Sequence, residues 1–115
     1  VTLMIPSQGE LVVLTTTSGR EEAERLVKTL VEENLVACGN IVGPVTSIYR
    51  WKGALCTDPE HMVILKTRKD RLEEMSARLK GLHSYECPEI LVLPVEAGFE
   101  AYMRWLRENT SKGTP

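Results

Sequence analysis

His83, Tyr85, Glu86, Cys87 and Glu89 fall within one short stretch, HSYECPE. An imidazole, a phenol, two carboxylates and a thiol are the donor types of a divalent-metal site or of general acid–base chemistry. A chelate built on His83 and Cys87 alone would need both on one face of a helix. Pro88 follows Cys87 and biases it toward extended backbone, so the two are not expected one helical turn apart. His83 then has two readings. Either it is a metal or ligand contact completed by groups from elsewhere, or it closes a helix, where a cation meets the helix dipole favourably. Cys87 and Cys38 read as small apolar side chains at strand entrances. Cys56 lies in a turn, where it is expected to be exposed, and is the thiol expected to meet a soft ion. Glu86 and Glu89 serve as acid and base only if burial separates their pKa values. Otherwise one faces solvent and the other meets a base such as Lys66 or Arg50. Lys66 closes an apolar strand, a placement suited to a carboxylate or anion partner. Lys66, Tyr85 and Glu89, with Glu86 beside them, are the expected polar lining of a cleft.

The elements that must position these groups follow from hydrophobic periodicity. LVVLTT (11–16) is a buried strand. Ser18 with Glu21 forms a capping box. Ala23, Leu26, Val27, Leu30 and Val31 then mark one helix face, with Asn34 as the stop. Residues 41–51 are a strand that begins as early as Cys38 and bends at Gly43-Pro44. Beyond the bend Val45, Ser47, Tyr49 and Trp51 share a face. GALCTDPE (53–60) is turn chemistry. HMVILKT (61–67) is a second buried strand. Asp70 with Glu73 opens a helix striped by Leu72, Met75, Leu79 and Leu82. EILVLPV (89–95) is a further strand, and Gly98 precedes a short helix with Phe99, Tyr102, Met103 and Leu106 inward.

The order is β-α-β-β-α-β-α, and Val13-Leu14-Thr15-Thr16 echoes Ile64-Leu65-Lys66-Thr67. Two tandem βαβ units predict an α+β, ferredoxin-like βαββαβ sandwich with an extra C-terminal helix. The domain is expected over 10–108, with an N-terminal extension (1–9) and a C-terminal tail (109–115). Right-handed crossovers put both long helices on one side of the sheet. The other side is too apolar to stay wet, which predicts a homo-oligomer. Tyr49, Trp51 and Trp105 are read first as contacts between copies and second as groups that stack on a ligand.

Bulk properties narrow the function classes. The 115 residues suit one domain. Fourteen basic and 16 acidic residues are mixed, for a net charge of -2, which leaves no footprint for nucleic acid. No apolar run is long enough for membrane insertion. The stretch VTLMIPSQGE lacks the basic flank of a signal peptide. Three cysteines without a CxxC spacing fit a reducing compartment, hence the cytoplasm. No phosphate-binding, zinc-protease or nucleophile-elbow motif occurs.

At Thr46-Ser47-Ile48-Tyr49-Arg50-Trp51-Lys52-Gly53 the sequence resembles the CutA divalent-ion tolerance family. The resemblance continues through ILKT, HSYECPE and Tyr102-Met103-Arg104-Trp105-Leu106, and covers about residues 11 to 108. It implies a tight homotrimer in which the long second strand pairs between subunits and clefts form between protomers. It also implies a link to copper and other divalent ions, with no required cofactor and no settled catalytic activity. Three positions depart from the family pattern. Gly43-Pro44 stands where Pro-Gly is usual, and Ser84 where Pro is usual. Thr15, a poor ligand for a soft metal, stands where some members carry a cysteine proposed to bind copper.

The leading expectation is a homotrimeric divalent-metal tolerance protein, with His83 and Cys56 as candidate ligands. The alternative is a PII-like trimeric sensor that binds a small anionic effector in the cleft between subunits, although residues 52–60 are short for such a protein's loop. An enzyme using Glu86, Glu89 and Lys66 ranks below both, because no nucleophile–base pair stands at a recognisable spacing. A trimer that only scaffolds an unidentified protein is the remaining possibility.

Overall fold

The computed structural model describes residues 3–112. Its elements are β1 (Met4–Pro6), β2 (Glu10–Thr17), α1 (Arg20–Glu32), β3 (Cys38–Trp51), β4 (Ala54–Arg68), α2 (Leu72–Leu82), β5 (Leu91–Pro94), β6 (Ala97–Phe99) and α3 (Glu100–Glu108). Four strands form an antiparallel sheet in the order β3-β4-β2-β5. The N-terminal β1 pairs with β6 in a separate two-stranded ribbon. Residues 113–115 of the expected tail lie outside the described residues.

Period-2 alternation builds the core. Leu11, Val13, Thr15 and Thr17 of β2 are buried, as are Val63, Leu65 and Thr67 of β4. They share one face of the sheet, and α1 and α2 lie over it. Val13, Val63 and Leu65 pack with Ala23, Leu26 and Leu30 of α1 and Met75 and Leu79 of α2. Each fully buried aliphatic side chain contributes about 1.5–3 kcal/mol relative to exposure.

The helix ends differ from the expected caps. Glu22, not Glu21, reaches back to Ser18: its Oε1 accepts from the Ser18 hydroxyl at 3.0 Å and amide at 3.3 Å. The N-cap itself is Gly19. A single 3-10 turn, Lys69–Arg71, leads into α2, so Asp70 does not cap that helix. Asn34 stops α1 as read. Its φ of 57° places it in the left-handed region, and Leu35 N–H donates to Leu30 O at 3.0 Å in a Schellman closure.

The main correction concerns residues 53–60, which are strand rather than turn. Only Lys52 and Gly53 turn the chain, at φ 50° and 81°, and Trp51 pairs directly with Ala54. β2 ends opposite His61, so residues 54–60 of β4 pair with β3 alone. The result is a two-stranded arm that leaves the sheet. Pro59 is tolerated there because one side of its strand has no neighbour. The expected irregularity at Gly43-Pro44 is a bulge: Val42 pairs with Met62 and Val45 with Glu60, leaving one extra residue on β3.

α3 covers one end of the sheet's second face. Met103 and Leu106 are buried as expected, but Phe99 belongs to β6 and both it and Tyr102 stay half-exposed. Arg107 donates to Glu10 at 2.5 Å, which ties α3 to the start of β2. Past α3 the second face carries Val42, Leu91 and Leu93, each about half exposed. β5 begins at Leu91 rather than 89, so residues 83–90 form a connection that crosses the end of β2.

Candidate functional site

That connection is fixed from both sides. Ser84 N–H donates to Glu22 Oε2 at 2.8 Å. Burial pushes the Glu22 carboxyl up, but the bonds from Ser84 and Ser18 outweigh it and hold the group below the usual carboxylate range. A proline at position 84 would have no N–H to give. His83 ends α2 at its C-cap, and its ring has no solvent exposure. Its Nε2 lies 2.7 Å from Thr16 O, while Nδ1 accepts from Tyr85 N–H at 3.0 Å. The ring is thus the Nε2–H tautomer, with both nitrogens occupied. Glu22 Oε2 stands 3.8 Å from Nδ1. In this arrangement both nitrogens are committed to hydrogen bonds, and neither is free for a metal ion.

His83 stacks on Tyr85 with ring centroids 4.8 Å apart, which points the phenol toward the arm. Tyr85 hydroxyl donates to Glu60 Oε2 at 2.7 Å. Burial first, and then the Glu60 carboxylate, push the phenol far above its ordinary value. On the arm, Tyr49 hydroxyl donates to Asp58 Oδ2 at 2.6 Å. That bond, with some desolvation, pushes Tyr49 up to about 12. Connection and arm enclose a cleft of about 660 Å³. Tyr49 and Trp51 form one wall; Tyr85, Glu86, Cys87 and Glu89 form the other, with Glu60 at the base. Among the described residues no lysine, arginine or histidine lines it.

Tyr85, Glu86 and Glu89 line this cleft together with Tyr49 and Trp51. Lys66 does not. It lies six residues from Glu60 along β4, about 20 Å away, and its ammonium donates to Asn40 Oδ1. Cys56 sits opposite Tyr49 on the arm and is half-buried, its thiol directed at Ala54 O. Cys87, expected to be enclosed at a strand entrance, is the exposed thiol and faces the cleft. Trp105 is outside the cleft, stacked on Tyr102 at 5.5 Å. Among the described residues no three His, Cys, Asp or Glu groups are gathered closely enough to hold a metal ion.

The sequence reading missed Glu60, the buried carboxylate at the cleft's base. Its signal was parity: Glu60 is in step with Met62 and Ile64, so a strand extended back through 54–60 places it on their face.

The strand order, the two helices on one face and the closing third helix define a ferredoxin-like α+β domain, here with a two-stranded arm and an acidic cleft at its base. Within that class the chain belongs to the CutA1 divalent ion tolerance protein family, whose family model matches residues 11–109. It is 46% identical over 101 residues to the divalent-cation tolerance protein CutA of Thermus thermophilus, covering 88% of this chain and 98% of that protein. The solved structure of CutA from Synechococcus elongatus superposes with a TM-score of 0.90 at 37% identity, over 94% of this chain and 96% of that one. Identity to a chloroplastic CutA of Arabidopsis thaliana is 37% over 87% of this chain, which spans 55% of that protein. A structure from Archaeoglobus fulgidus, described as a periplasmic divalent cation tolerance protein, matches at 34% identity and TM-score 0.86, over 89% of this chain and 99% of that one. No helix among the described residues is long and apolar enough to cross a membrane.

Proposed function

We propose that this chain acts as a homotrimeric divalent-cation tolerance protein that meets divalent ions, copper among them, weakly and reversibly at its acidic cleft. The observation that carries the reading is the lining: Glu60, Glu86 and Glu89 with the exposed thiol of Cys87, and no basic side chain against them. Carboxylate and thiolate together suit borderline and soft divalent ions. One chain supplies too few converging donors, so the reading places a second protomer's groups at the mouth of the cleft. The half-exposed Tyr49, Trp51 and Trp105, with the open apolar face at Leu91 and Leu93, support assembly. The function is binding rather than catalysis. The three unpaired cysteines support a reducing, cytoplasmic setting.

Calorimetric titration with copper and with zinc tests the reading, on wild type and on Glu86→Gln/Glu89→Gln. Binding in the micromolar range or weaker that is lost in the double variant supports it. A wild-type protein that takes up neither ion sinks it. An anionic effector is disfavoured, because the cleft has no cation to receive it and the arm ends in a two-residue turn.

A further inference from the structure

The cleft is far larger than a bare ion requires. A volume of about 660 Å³ belongs to the range that encloses drug-sized molecules. Its two walls differ in kind. Trp51 and Tyr49 on β3 are aromatic and stay 44% and 42% exposed. Facing them are the carboxylates Glu60, Glu86 and Glu89. Of the arm's own cations, Arg50 donates to Gly53 O at the tip. Lys52 Nζ lies 5.8 Å from the centre of the Trp51 ring, so this indole already receives an ammonium.

We propose that the cleft binds a small organic cation, an ammonium group carried on an apolar body. The carboxylates take the charge, and the aromatic wall takes the body and adds cation–π attraction. An anion of the same shape would meet three carboxylates. The Asp58 carboxylate that pushes the Tyr49 phenol up to about 12 adds to a local field that favours a positive guest. This inference shares the acidic cleft with the proposed function and does not require that a metal bind.

The test compares 2-phenylethylamine with 3-phenylpropionate, which have similar bodies and opposite charge. Calorimetry and amide shift mapping are run on the purified protein in its native assembly. The amine is expected to bind, to move the signals of Trp51 and Tyr85, and to weaken at least tenfold in Glu60→Gln and in Glu86→Gln. Glutamine at 60 still accepts the Tyr85 hydroxyl, and Glu86 is exposed, so misfolding would not explain a loss. No amine binding overturns the proposal, including exclusion by a side chain of a neighbouring copy. Equal binding of the two compounds, or amine binding unchanged in both variants, overturns it as well. A zinc titration run in parallel separates the two readings. Amine without zinc supports this inference and removes the metal; zinc without amine removes this inference.

Discussion

Around His83, a partly buried set of hydrogen bonds ties the connection to β2 and α1. Removing the imidazole would leave Thr16 O and Tyr85 N–H without partners in a partly buried setting. Each orphaned group costs about 1–3 kcal/mol. His83→Ala is therefore expected to lose roughly 3 kcal/mol in urea unfolding while keeping its divalent affinity. A stable variant that lost metal binding would restore His83 as a ligand. Ser84→Pro would take one donor from the buried Glu22 carboxylate, a charged bond of about 1.5–3 kcal/mol, against about 0.4–1 kcal/mol gained from a stiffer unfolded chain. The expected net is a loss of about 1 kcal/mol and a rise in the Glu22 pKa, read by carboxyl NMR. Glu10 gives the pH dependence. Burial pushes its carboxyl up, but Arg107, the Gln8 amide and Ser7 outweigh that and bring it from 4.5 to about 2. The unfolded chain therefore takes the proton first. The stabilisation is whole above about pH 4.5 and is lost as pH falls through about 2. Glu10→Gln is expected to cost about 2–3 kcal/mol at pH 7 and to flatten the acid limb; equal urea midpoints at pH 7 would refute this.

Two glycines separate two kinds of constraint at the level of elements. At Gly39 a β-carbon would meet Val27 Cγ1 at 2.7 Å and Leu65 Cδ2 at 3.0 Å, because β3 passes close under α1. Gly39→Ala overpacks that contact and is expected to cost about 1–3 kcal/mol in thermal or urea unfolding. Gly53, at φ 81°, has open space around it. Gly53→Ala pays only the left-handed backbone penalty, about 1–2 kcal/mol. Hydrogen exchange should show that loss at the arm tip and leave β2 protected. The same contrast explains what could be read in the sequence. Helix stripes and buried strands were legible because one face meets a core, as at Leu26 and Leu30 or Val63 and Leu65. The first half of β4 was not. A ribbon with solvent on both sides carries no alternation, and Asp58-Pro59 imitates a turn. The cleft was half legible. Tyr85, Glu86 and Glu89 are neighbours in sequence, whereas Glu60 joins them only through strand register.

For the whole molecule, the distribution of exposed apolar surface sets the expectation. Leu91 and Leu93 on the open face and Ile48, Tyr49 and Trp51 on the arm are too extensive to leave in water as one monomer's surface. Light scattering is expected to give about three times the chain's 12.9 kDa; a stable monomer would contradict the assembly. The arm has a further consequence for how such proteins can vary. Beyond His61 it is a ruler graduated in steps of two. Deleting one residue from each strand near its base would swing Tyr49 and Trp51 to the far side and dismantle the wall facing Tyr85. Deleting two from each would keep every orientation and shorten the reach by about 7 Å. Length at this position is therefore adjustable only in even increments, and a relative with an arm one pair longer or shorter must rebuild its cleft from different residues.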